Sequence, residues 1–175
     1  MWIASFFRRR HPPAAVAEAY RRIVEQARVP RFYTEWSVPD TLDGRFEMLA
    51  LHAFLVLRRL KREGDAAAAF AQSLFDFMFA DLDRSLREMG ASDLGVGRQV
   101  KAMAQGFYGR ILSYEHGLQD EAALAEALRR NLYGTIDAPE AAAVAAMSRY
   151  LHRQVQVLER VKLASLLAGL VAFAE

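Results

Sequence analysis

Apolar residues recur at spacings of three and four along most of this chain, the period of an α-helix with one buried face. Val16, Tyr20, Ile23 and Ala27 predict a first helix over about Ala14–Ala27, entered from Pro12 and Pro13. Leu42, Phe46, Leu49, Ala53, Val56 and Leu60 mark a second, from an N-cap at Asp40 or Thr41 to about Glu63. Met48, Leu51, Phe54 and Leu55 lie off that stripe, so its middle is apolar almost all round and belongs at the centre of the fold. A third helix is expected over about Ala66–Met89, turned back on the second by a Gly64 C-cap and an Asp65 N-cap. Gly90 stops it. Val96, Val100, Met103, Phe107, Ile111 and Tyr114 form the seam of a fourth, over about Val96–Tyr114. Gly106 and Gly109 inside it cost helix propensity, which predicts a close helix crossing. Asp120 caps a fifth with Leu124, Leu128 and Leu132, closed near Asn131–Gly134. A last stretch starts after Asp137 and Pro139 and continues through Met147, Leu151 and Leu158 towards the C-terminus.

Between the first two helices lies "RVPRFYTEWSVPD". Pro30 and Pro39 forbid a continuous helix there, and Phe32, Tyr33 and Trp36 predict an ordered loop pinned by aromatics. No strand pattern and no internal repeat emerge. The class is all-α: a single-domain compact bundle of about six helices over residues 14–175, preceded by a basic and apolar arm at 1–13.

Composition narrows the chemistry. The 175 residues suffice for one sizeable core, and 53% hydrophobic with 25% charged residues is a globular balance. The absence of cysteine removes disulfides, thiolate metal sites and cysteine nucleophiles. A net charge of +2 means that any anionic partner must be met by a local patch. The opening "MWIASFFRRRHPP" places its apolar residues before its arginines, the reverse of a secretory signal. No apolar run approaches the roughly 18 residues that span a bilayer. Trp2, Phe6 and Phe7 with Arg8, Arg9 and Arg10 would make a small foot on anionic lipid; the alternative is a frayed terminus.

Four histidines, His11, His52, His116 and His152, stand far apart, and no Glu-x-x-His pair exists, so no metal and no cofactor is expected. "DLGVGRQVK" lacks the Gly-Lys-Ser/Thr element of a phosphate loop and follows no strand. Arg98 and Lys101 would still attract an anion to that helix start; the competing reading is a plain connection. Arg45, His52 and Arg59 recur every seven residues as one polar stripe. Folding the second and third helices back at Gly64–Asp65 sets His52 near Asp76, and Arg45 near Asp81 and Asp83. A small helical enzyme would use His52 with Asp76 or Asp81 as an acid–base pair. The alternative is a structural network that fixes register between buried helices. Clusters of arginine at helix ends complement the helix dipoles and would also serve as a footing for RNA or lipid.

Three longer phrases go further. "FYTEWSVPDTLDGRFEMLALHAFLVLRRL", "LFDFMFADLDRSLREMGASDLGVGRQVKAMAQGFYGR" and "LRRNLYG" occur in order. Over about residues 14–134 the chain resembles the ubiquinol–cytochrome c chaperone family, in its bacterial form because no long arginine- and serine-rich import extension is present. The resemblance implies an assembly factor and not an enzyme. Its mitochondrial relatives work with a companion factor at the ribosome and bind newly made cytochrome b on its way into the cytochrome bc1 complex. It implies a chaperone that is cytoplasmic and peripheral to the inner membrane; weak contact with anionic lipid is expected from the N-terminal foot, and no sequence-specific nucleic-acid partner is expected. Signature positions are Pro39, Asp40, Gly44, Arg45, Phe46 and His52 in the first phrase. Asp81, Asp83, Leu86, Arg87, Glu88, Gly90, Asp93, Gly97 and Lys101 match the second, with Tyr108 and Gly109 beyond, and Asn131 and Tyr133 match the third. Some of these are expected to face a partner. "REMGASDLGVG" then reads as the joint between two scaffold helices, its acids bonded inside the bundle.

Overall fold

A computed structural model describes residues 14–90 and 93–174. Among them run eight α-helices and no strand: α1 (Ala14–Ala27), α2 (Arg31–Thr34), α3 (Leu42–Lys61), α4 (Asp65–Glu88), α5 (Asp93–Gly117), α6 (Glu121–Asn131), α7 (Ala141–Arg160) and α8 (Leu163–Leu167). Six are long and two are single turns. The arm at 1–13, and with it the lipid contact expected of Trp2, Phe6, Phe7, Arg8, Arg9 and Arg10, lies outside the described residues.

Helix α3 is the axis. Met48 through Val56 are buried without a break, and α1, α4, α5 and α7 all pack on it. Its all-round apolar middle produces this directly, because each face needs its own cover. Thr41 caps it, its Oγ1 accepting from the Gly44 amide at 3.2 Å. Asp120 caps α6 in the same way, through Ala122 and Ala123. Gly64 has φ +60° and itself occupies the N-cap of α4, so Asp65 is the first helical residue and not the cap.

The proline-flanked segment is not all loop. Its first half winds into α2, which buries Phe32, while the Tyr33 hydroxyl donates to the Ala27 carbonyl. Tyr133 ties the other end by donating to the Trp36 carbonyl at 2.8 Å.

Helix α5 starts at Asp93, earlier than Val96, so Gly95 and Gly97 belong to its first turns. The joint itself turns at Gly90, with φ +89°. The close crossings expected at Gly106 and Gly109 do not occur. A Cβ on Gly109 would meet nothing within 4 Å, and one on Gly106 would meet only the Arg110 side chain of the same helix. The tight approach is at Gly117, where a Cβ would sit 2.7 Å from Leu124 Cα. The last stretch is likewise not one helix. Val161 is extended, α8 follows, and the tail returns so that Gln154 holds Ala174 by both amide groups.

Candidate binding cleft

Of the Arg45–His52–Arg59 stripe, His52 and Arg59 face α7 and not α4. His52 is fully buried; its Nδ1–H donates to the Met48 carbonyl at 2.8 Å, and Nε2 accepts from the Tyr150 hydroxyl at 2.7 Å. Gln26 donates in turn to Tyr150, so one chain of hydrogen bonds joins α1, α7 and α3. Phe32, Tyr150 and Phe173 surround the imidazole, and burial depresses its pKa to about 4. Arg59 donates to the Leu158 and Val161 carbonyls at the end of α7. Asp76 is exposed and bonded to Gln72. His52 and Asp76 therefore do not meet, nor do His52 and Asp81, and the acid–base pair is not formed.

Arg45 also departs from expectation. It pairs with Asp40 at 2.6 Å on the surface, not with Asp81 or Asp83. Asp81 instead accepts from the Tyr20 hydroxyl at 2.9 Å and pairs with Arg84, while Asp83 pairs with Arg87. The acids of α4 are thus half-buried at its edge, bonded to α1 and to their own helix rather than inside the bundle. The physical reason is rotational. Helices α3 and α4 turn other residues towards each other, and equal distance from a turn sets height along a helix but not direction around it.

Among the described residues a largely buried ion pair between helices lies elsewhere. Glu47 on α3 and Arg110 on α5 form a forked contact, with Nε at 2.7 and 3.0 Å from the two carboxylate oxygens. Burial pushes the Glu47 carboxyl above its ordinary range, and Arg110 pulls it part of the way back. The Arg110 guanidinium also lies over the Phe46 ring at 5.5 Å. Neither residue was singled out from sequence; the apolar seam of α5 hid an arginine that points inward between two of its positions.

Glu47 and Arg110 stand at the wall of a cleft of about 660 Å³ bounded by α1, the start of α3, the second half of α4, α5 and the end of α6. Val24, Phe46, Leu49, Leu82, Leu86 and Met103 give it apolar walls. Leu42 and Met89 stand at its margins, each 58% exposed, two of the large apolar side chains this fold leaves in water. Arg28, Arg45 and Arg130 rim it. Six of the signature positions converge here: Gly44, Arg45, Phe46, Asp81, Leu86 and Asn131. Gly44 has a steric reason, since a Cβ there would lie 1.9 Å from the carbonyl oxygen of Pro39. Asn131 Nδ2 and Tyr114 Oη are enclosed without hydrogen-bond partners, although the amide neighbours the phenol.

The remaining signature positions scatter. Gly97, Lys101, Tyr108 and Gly109 are exposed along α5 and do not line the cleft, and Asp83, Arg87 and Glu88 follow the edge of α4. Asp93 opens α5. Tyr133 is buried at the Trp36 carbonyl, and Gly90 makes the turn. Among the described residues no group of three or more His, Asp or Glu is placed to hold a metal, and no helix is long and apolar enough to cross a membrane.

Fold and cleft together define an all-helical scaffold with an open cleft of mixed apolar and polar lining under an arginine rim. The chain belongs to the ubiquinol-cytochrome C chaperone family, whose model matches residues 34–173. That match continues through the C-terminal helices, past the last phrase legible as family signature. Ubiquinol-cytochrome-c reductase complex assembly factor 1 of Xenopus laevis is 30% identical over 147 residues, covering 83% of this chain and 72% of the frog protein. The mitochondrial protein CBP3 of Saccharomyces cerevisiae is 27% identical over 133 residues, 74% of this chain but only 40% of the yeast protein. The crystal structure of the Cbp3 homolog from Brucella abortus superposes with a TM-score of 0.82 at 40% identity, covering 93% of this chain and 90% of that one.

Proposed function

We propose that this protein is an assembly factor for ubiquinol–cytochrome c reductase that acts by binding, not catalysis, and that its client is newly made cytochrome b. The cleft carries this reading. A subunit destined for a membrane exposes apolar segments before assembly, and the groove offers apolar walls of matching character. Methionines at Met89 and Met103 are flexible enough to repack around varied side chains. The arginine rim meets the polar flank of such a segment. The chemistry is reversible contact, for which a sealed, neutral His52 is irrelevant and an open groove is required. The arm at 1–13 would hold the protein at the anionic face of the membrane where the client emerges, and the exposed positions on α5 would face a companion factor or the ribosome.

The test is site-specific photocrosslinking in membranes of the producing cell. A photoreactive residue at Met89 or Leu42 is expected to capture cytochrome b, and one at an α7 surface position such as Gln156 is not. Loss of the protein should lower spectroscopic cytochrome b while its message persists. Normal cytochrome b in the deletion strain would overturn the assembly role. Capture from Gln156 as strong as from Met89 would overturn the cleft as its seat.

A further inference from the structure

A second, smaller cavity of about 190 Å³ lies on another side of the molecule, lined by Gln26, Val29, Arg31, Phe32 and Tyr150. Arg31 there is unusual in three ways. Its guanidinium carbon lies over the Trp36 indole, 4.6 Å from the ring centroid, a cation–π contact that occupies no N–H in a conventional hydrogen bond. Its Nε–H is enclosed and has no hydrogen-bond partner. No acidic residue pairs with it among the described residues, and none lines the cavity. An enclosed donor without a partner is costly, and on a permanent cation more so, and native folds keep few of them.

We propose that this notch binds a carboxylate carried on a short apolar stem, such as a glutamate side chain or a chain terminus of a partner. A guanidinium edge presents parallel N–H donors that match the two oxygens of a carboxylate. The Val29, Phe32 and Tyr150 walls suit the stem, and they disfavour a phosphate, whose stronger hydration they cannot replace. The Tyr150 hydroxyl already accepts from Gln26 and donates to His52. The incoming group is therefore read by Arg31, and the hydrogen-bonded chain behind it supplies a fixed wall. This site is independent of the cleft, and its failure would leave the assembly reading untouched.

Trp36 is a built-in reporter because it stacks on the cation that would be engaged. With Trp2→Phe removing the other tryptophan, emission would be followed while sodium butyrate, sodium phosphate or sodium chloride is added at matched ionic strength. Butyrate is expected to give a saturable change, chloride none, and phosphate a response at least about tenfold weaker in apparent affinity. Arg31→Gln should weaken butyrate roughly tenfold or more. Arg31→Lys, which keeps the charge but loses the fork, should also weaken it and guards against a variant that does not fold. Equal responses to butyrate and chloride would show a cavity that takes only water and would overturn the site. A phosphate response as tight as that of butyrate would overturn its assignment to carboxylates, and undiminished butyrate binding by folded Arg31→Lys would overturn the role of the guanidinium edge.

Discussion

His52 Nε2 and Tyr150 Oη lie 2.7 Å apart, joining two helices whose residues stand 98 positions apart in the chain. Burial favours the neutral imidazole, in which Nδ1 donates to the Met48 carbonyl and Nε2 accepts from the Tyr150 hydroxyl. A polar stripe that resembles half of a catalytic pair is thereby used to fix how α7 lies on α3.

Stability should fall with acid because of this residue. Burial holds the folded pKa at about 4 against an ordinary value of 6.5, so below pH 6.5 the unfolded state binds the extra proton. The contribution is fully present above pH 6.5 and is lost progressively down to pH 4, reaching about 3 kcal/mol. Denaturant unfolding of wild type and His52→Gln at pH 7 and pH 4.5 would measure it. The wild type should lose more between the two; parallel losses would refute the assignment.

Two of the arginine–carboxylate pairs that involve α3, Arg45–Asp40 and Arg110–Glu47, should behave oppositely. Arg45→Ala removes a surface contact with Asp40 and should leave the melting temperature essentially unchanged. Arg110→Met strands the Glu47 carboxylate and should cost about 3 kcal/mol. Replacing both, as Glu47→Met with Arg110→Met, should recover much of that loss in a double-mutant cycle.

Two glycines of α5 offer a second contrast. Gly109→Ala meets open space and should stabilise by about 0.5–1 kcal/mol through helix propensity. Gly117→Ala drives a Cβ into the backbone at Leu124 and should destabilise. Thermal melts of the two variants should shift in opposite directions. If Gly109→Ala melts higher yet fails to restore cytochrome b in a deletion strain, the exposed face of α5 is a docking surface.

Charge placed at the cleft margin should separate folding from function. Leu42→Glu and Met89→Glu alter side chains that are already in water, so their melts should stay near wild type. Client capture should drop, because a carboxylate would have to be buried against an apolar segment. Full complementation by both variants would remove the cleft from the mechanism.

Much of this molecule was determined by the sequence alone. Periodicity located the six long helices because each buries a stripe, and the apolar circumference of residues 48–56 named α3 as the axis, since burial on all sides has no other solution. Caps at Thr41 and Asp120 and the turns at Gly64 and Gly90 follow from local backbone chemistry, which acts within a few residues. The long phrases identified the family. Only the tertiary structure decided which way each face turns. Height along a hairpin can be counted from its turn, but rotation about the helix axes is set by how every neighbour packs, so the stripe of α3 met α7 and Arg45 was left on the surface. Packing likewise chose Gly117 over Gly109 for the close crossing and brought Glu47 to Arg110 across 63 positions. The cleft is collective in the same sense: it is the space five helices fail to fill, and no single stretch of the chain encodes it.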